Sequence, residues 1–128
     1  MKNYQELEGL VEEWASEKGI FEKATPMAQC MKTIEEVFEL QTAIATNDQD
    51  EIEDALGDIL VTIIIQAKMQ GLSLESCLES AYNVISKRTG RMIDGQFVKD
   101  VYNEEQSNER MNVIGQNGNE GTHYDTTL

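Results

Sequence analysis

Apolar residues recur along most of the chain at intervals of three and four, and the polar residues between them supply starts and stops. From about Tyr4 to Lys18, Leu7, Leu10, Val11 and Trp14 repeat at helical spacing. Asn3 can cap this first helix, Glu6 sits at the capping-box position, and Gly19 suits its end. A second helix is expected from "TPMA", with Thr25 as cap and Pro26 as first helical residue. Its stripe is Met27, Met31, Ile34, Val37, Phe38, Gln41 and Ile44, and it should end near Thr46 and Asn47. The third starts at Asp48, with Glu51 as capping-box partner, and runs to about Gln70 before Gly71. Its "VTIII" is β-branched and would suit a strand. However, the acidic segment before it has helical period and no turn signal intervenes, so the helix is preferred.

The second half of this third helix is apolar nearly all round, and such a helix is buried all round. In a chain this small, that implies cover from another subunit. A fourth helix, capped by Ser73, carries Leu74, Leu78, Ala81 and Ile85 to about Thr89. "RMIDGQFVKD" then places an Asp94-Gly95 turn between short apolar runs, as in a small hairpin or extended segment. From residue 103 the chain is polar, Gly- and Asn-rich and aperiodic, and reads as a mobile tail. The expected fold is all-α: one domain over residues 1–102 with a four-helix bundle-like core, then the tail. Met27, Met31, Met69 and Trp14 are expected in the core.

Charge narrows the choice of ligand. The 128 residues carry a net charge of −14, with no basic patch to offset it. This argues against binding nucleic acid or an anionic membrane. A phosphate ligand would need cations, from Lys and Arg or from a metal. Cys30 and Cys77 read as free, mostly buried thiols in a reducing compartment. The start lacks a signal-peptide apolar region, and "ILVTIIIQA" is about half the length of a membrane span. A soluble, cytoplasmic protein is expected. The only histidine, His123, lies in the tail, which disfavours a histidine-based catalyst.

Two acidic bursts, "IEEVFEL" and "DQDEIEDALGD", carry the candidate chemistry. At about 100° per residue, the stripe of the second helix centres on Ile34, with Glu36 and Glu39 on the opposite side and Glu35 between. Asp54 and Asp58 share a face of the third helix. A solvated charged face is the plainer reading. Such faces usually mix signs, yet no Lys or Arg lies between Lys32 and Lys68. The short connection makes the two helices antiparallel neighbours, with residues whose numbers sum to about 95 side by side. Glu36, Glu39, Asp54 and Asp58 can then meet. Glu51 lies well over a turn away, already has a capping role, and ranks below them. Carboxylates without His or Cys suit a hard cation, Mg²⁺ or Mn²⁺.

These segments resemble the MazG-like all-α nucleotide pyrophosphohydrolases. That family carries E-E-x-x-E on one helix and E-x-x-D on the next. Glu35, Glu36 and Glu39 match the first half, and "DALGDILVTIII" resembles the second. The similarity covers roughly residues 25 to 100, including "TPMAQCMKTIEE" and "SKRTGRMIDGQFVKD". It implies Mg²⁺-dependent hydrolysis of nucleoside triphosphates between the α and β phosphates, to a monophosphate and pyrophosphate. It further implies Glu36, Glu39 and Asp58 as metal ligands, with Glu35 a further ligand or the group that orients the attacking water. Lys32, and with it Lys87 and Arg88, would reach phosphate, while Asn83 would hydrogen-bond the nucleotide. The pattern departs at Ala55, where the family has Glu; Asp54, one place earlier, either substitutes or leaves a ligand missing. The expected protein is a homodimeric or homotetrameric hydrolase of surplus or non-standard (deoxy)nucleotides. The alternative is a non-catalytic nucleotide-binding or helical interaction module.

Overall fold

The computed structural model describes residues 1–101, and the expected tail lies outside the described residues. The elements are α1 (Tyr4–Glu17), α2 (Ile20–Lys23), α3 (Pro26–Ala45), α4 (Gln49–Met69), α5 (Leu74–Ile85), β1 (Gly90–Ile93) and β2 (Gln96–Lys99). The architecture is therefore all-α with a short antiparallel hairpin, as the periodicity predicts. The caps form where expected. Asn3 Oδ1 accepts from the Glu6 N–H at 2.9 Å, Thr25 Oγ1 from Ala28 at 3.1 Å, Asp48 Oδ1 from Glu51 at 3.2 Å, and Ser73 Oγ from Ser76 at 3.2 Å. Each such cap is worth about 1 kcal/mol.

Two helix ends differ from expectation. Gly19, at φ 77°, both stops α1 and starts the single turn α2. Further on, α5 ends at Ile85, so Lys87 and Arg88 sit in a turn closed by Lys87 N–H to Val84 O and Arg88 N–H to Ile85 O.

The described chain divides into two compact units, Met1–Cys77 and Leu78 onward. In the first, α3 and α4 form an antiparallel pair joined by a very short connection. Asn47, at φ 52°, takes the left-handed conformation that closes a helix end. Its N–H donates to Ile44 O at 3.1 Å, and the Asp48 N–H donates to Ala43 O at 3.0 Å. Asp48 thus finishes α3 with its backbone and starts α4 with its side chain. The helices meet along a polar seam. Thr33 Oγ1 donates to Thr62 Oγ1 at 2.9 Å, Thr62 Oγ1 donates to Ile59 O at 2.7 Å, and Gln29 Nε2 donates to Thr62 O at 3.3 Å. α1 packs on α4 through Ala15, which is fully buried, and a Lys68–Glu12 ion pair at 3.5 Å.

The core of this unit is thin: Ala15, Ala43, Ala55, Ile64 and Ile65. Among the described residues no large side chain is fully buried. The expectation that Met27, Met31 and Trp14 are core residues is corrected, since they are 72, 56 and 47% exposed. The reason is the choice of face. α3 turns Gln29, Thr33, Glu36 and Ala43 towards α4, which leaves its apolar stripe outward. Cys30 and Cys77 are likewise free and exposed rather than buried.

In the second unit β1 pairs with β2 in the register Arg91↔Val98 and Met92↔Phe97. Asp94 and Gly95, at φ 49° and 79°, make the expected two-residue turn. The Asp100 N–H donates to Thr89 O, and Thr89 Oγ1 donates to Asp100 Oδ2, both at 2.9 Å. No single helix among the described residues is long and apolar enough to cross a membrane.

Candidate metal centre

The polar seam leads directly to the acids. One turn beyond Thr33 on α3 stands Glu36, followed by Glu39, and one turn before Thr62 on α4 stands Asp58. Glu36, Glu39 and Asp58 each bring one carboxylate oxygen within 4.8 Å of the others. Glu36 is buried, at 9% exposure, whereas Glu39 is exposed. Three like charges at this spacing repel, by roughly 1–4 kcal/mol per pair between the dielectric of water and that of a protein surface.

Two observations show that the cluster is not balanced by the chain itself. Glu36 Oε2 is buried and has no hydrogen-bond partner. Burial pushes the Glu36 carboxyl above its ordinary range, a hydrogen bond and charge from Glu39 push it further, and Asp58 adds to this. Lys32 opposes the shift, but its Nζ is shared. It lies 3.4 Å from Glu35 Oε2 and 3.9 Å from Glu36 Oε1. A buried acceptor without a donor, beside two more carboxylates and no His or Cys, fits a hard divalent cation.

The other expected site residues stand elsewhere. Asp54 and Glu35 are outside the three-acid group, with Glu35 on the exposed rim holding Lys32. Ala55, buried at 4% exposure, offers no ligand atom. Asn83 is on the part of α5 that belongs to the second unit, with Lys87 and Arg88 beyond it. A feature the sequence did not disclose adjoins Glu39. There the surface sinks into a pocket of about 360 Å³, with Phe38, Asp48 and Glu51 among its walls.

The model of the MazG nucleotide pyrophosphohydrolase domain family matches residues 24–92. An uncharacterized 18.2 kDa protein from the rep-hol intergenic region of Haemophilus phage HP1 is 37% identical over 79 residues, covering 62% of this chain and 47% of that protein. The match therefore spans about half the length of that relative. No solved structure matches the chain.

Proposed function

Because the chain belongs to the MazG nucleotide pyrophosphohydrolase family, we propose that it hydrolyses (deoxy)nucleoside triphosphates between the α and β phosphates. The products would be a monophosphate and pyrophosphate, and the role would be clearance of surplus or non-standard nucleotides. The observation that carries this reading is the buried, unpartnered Glu36 oxygen inside the three-acid cluster. Glu36, Glu39 and Asp58 would hold Mg²⁺ or Mn²⁺. A divalent ion bound there neutralises phosphate charge and lowers the pKa of a bound water.

The chain's own groups do the rest. Glu35, exposed at the rim, orients the attacking water and accepts its proton at a carboxylate oxygen. Lys32, half exposed and loosely held by two carboxylates, exchanges them for a substrate phosphate. Asp54, one turn before Asp58 on α4, would contribute through a water rather than as a direct ligand, since it lies outside the three-acid group. For Asn83, Lys87 and Arg88 the nucleotide-binding role rests on the family resemblance alone. We also propose that the outward stripe of α3 is covered by a second copy of this chain, giving a homodimer or homotetramer. Many large apolar side chains among the described residues are exposed, Met27, Met31, Ile34 and Phe38 among them, and burial of that stripe is what association gains.

One feature favours a second reading. Ala55 replaces an acid at a position where the family carries one, which weakens metal binding and would leave a nucleotide-binding protein without turnover. Incubation of the folded protein with a nucleotide panel and Mg²⁺ separates the two. Monophosphate and pyrophosphate should appear, and should vanish with a chelator. Nucleotide binding without any product would favour the second reading.

A further inference from the structure

The pocket beside Glu39 lies between the last turns of α3 and the first turn of α4. We infer that it is a nucleoside subsite that favours bases bearing an exocyclic amino group, such as cytosine and adenine, over uracil and thymine. This rests on the hydrolase reading for the location of the phosphates. With those held at the three acids, Glu39 is the point where the nucleotide leaves the metal centre, and it is also a wall of the pocket.

Size and layout suit a nucleoside. The pocket encloses about 360 Å³, within the range of small-molecule sites. Glu39, on α3, and Thr46, the residue that caps its end, both line it and are seven residues apart, a distance of about 10 Å at 1.5 Å per residue. That is room for a sugar at the level of Thr42 and a base at the level of Thr46, Asp48 and Glu51. Phe38, at the edge of the α3 stripe, lines the same wall and gives it an apolar side.

Selectivity comes from the far end, which offers acceptors. The Thr46 hydroxyl is committed as a donor to Thr42 O at 2.9 Å. Asp48 uses Oδ1 to accept from the Glu51 N–H, which leaves Oδ2. The return half of this capping box is not made, because the Asp48 N–H already donates to Ala43 O at 3.0 Å. Among the described residues, no hydrogen bond or ion pair engages the Glu51 carboxylate. An ionised carboxylate only accepts. An amino group on the base supplies donors to it, whereas the carbonyl that uracil and thymine carry at the same position would face it with a lone pair. A polar group left unpaired in this way gives stronger discrimination than any loss of apolar contact.

The test compares kcat/KM for CTP and ATP with that for UTP and dTTP in Mg²⁺, alongside calorimetric binding of CMP and UMP. The amino-bearing substrates should be favoured at least about tenfold. Glu51→Gln places an amide donor at the same position, and should bring the CTP-to-UTP ratio close to one with helix content unchanged. Equal kcat/KM for CTP and UTP in the wild type, or an unchanged ratio in Glu51→Gln, overturns the inference. If no nucleotide is hydrolysed, the hydrolase reading falls by itself, and the binding data judge the pocket. In that case tighter CMP than UMP, lost in Glu51→Gln, supports it, and equal affinities overturn it.

Discussion

Glu36 on α3 and Asp58 on α4 point their carboxylates at each other, with oxygens inside 4.8 Å, while the second oxygen of Glu36 is buried without a donor. A folded chain tolerates this in one of three ways: by taking up a proton, by recruiting a cationic side chain, or by binding a cation. Lys32 provides the second only in part, since Glu35 holds it more closely. Protonation and metal binding therefore compete for the same buried oxygen, and pH, metal affinity and stability are linked through Glu36.

The sign of this linkage can be measured. Burial and acidic neighbours raise the Glu36 carboxyl above its ordinary 4.5. Its contribution to stability is therefore fully present below pH 4.5 and is lost as pH rises through the raised folded value. Glu36→Gln removes the charge and keeps the shape. In chelator at pH 7 the variant should be more stable than wild type by about 1 kcal/mol, a gap that closes as pH falls towards 4.5. With Mg²⁺ the order should reverse. Wild type should gain about 2.7 kcal/mol at a hundredfold excess over Kd, and the variant almost nothing. Thermal melts across pH with and without Mg²⁺ check both halves.

Ala55 provides a second test. It lies three residues before Asp58 on α4, on the buried side of the helix, at 4% exposure. Ala55→Glu adds a fourth carboxylate at the spacing found in the family. Without metal it should destabilise the protein by about 1–3 kcal/mol, from overpacking and charge. With Mg²⁺ it should bind about tenfold more tightly by calorimetry, as one more charge-assisted contact allows. Unchanged affinity would mean that residue 55 does not look into the cluster.

The register of this site was legible because it depends on one short connection. Once Asn47 and Asp48 mark where α3 turns into α4, pairs summing to about 95 follow, and Thr33 does bond Thr62 while Glu36 meets Asp58. The caps were legible for a similar reason, since each needs only a side-chain oxygen and an N–H three residues on. The side of α3 that packs was harder to read. Apolar periodicity marks a face that wants cover without saying whether a neighbouring helix or another chain supplies it, and here the stripe from Met27 to Ile44 faces outward. Asp54 was drawn in because it shares a face of α4 with Asp58, four residues on; among the described residues the three-acid group takes in Asp58 and not Asp54. The pocket was hidden because the Glu51 carboxylate is released by a tertiary detail: the Asp48 N–H goes to Ala43 O.

The polar seam should hold the α3–α4 register at a measurable cost. Thr62 both accepts from Thr33 and donates to Ile59 O, and it is buried at 5% exposure. Thr62→Val keeps the volume and leaves the Thr33 hydroxyl to find the Gln29 carbonyl, already at 3.3 Å. The loss should be about 1 kcal/mol in urea unfolding, at unchanged m-value. Because Thr62 is one turn from Asp58, Mg²⁺ affinity should fall as well if the seam positions the ligand, and should stay constant if it only adds stability.

The outward stripe of α3 leads to the last expectation. Met27, Met31, Ile34 and Phe38 occupy one side of the helix at spacings of four, three and four, each at least 44% exposed. Leu56, Leu60 and Ile63 form a similar open row on α4. Rows like these on two adjacent helices are the half of a helix bundle that a second hairpin completes. The net charge of −14 opposes association of two copies. No acidic residue interrupts these seven positions, however, so close contact can be made with the charges at the rim. We expect light scattering to give two or four times the chain mass. Ile34→Asp places a charge at the centre of the stripe and should yield monomer with a Tm lower by several degrees, since uncovered apolar surface then faces water. Raising salt should tighten association in the wild type by screening the rim. A wild-type monomer at micromolar concentration, unaffected by Ile34→Asp, would instead leave these rows for a different partner.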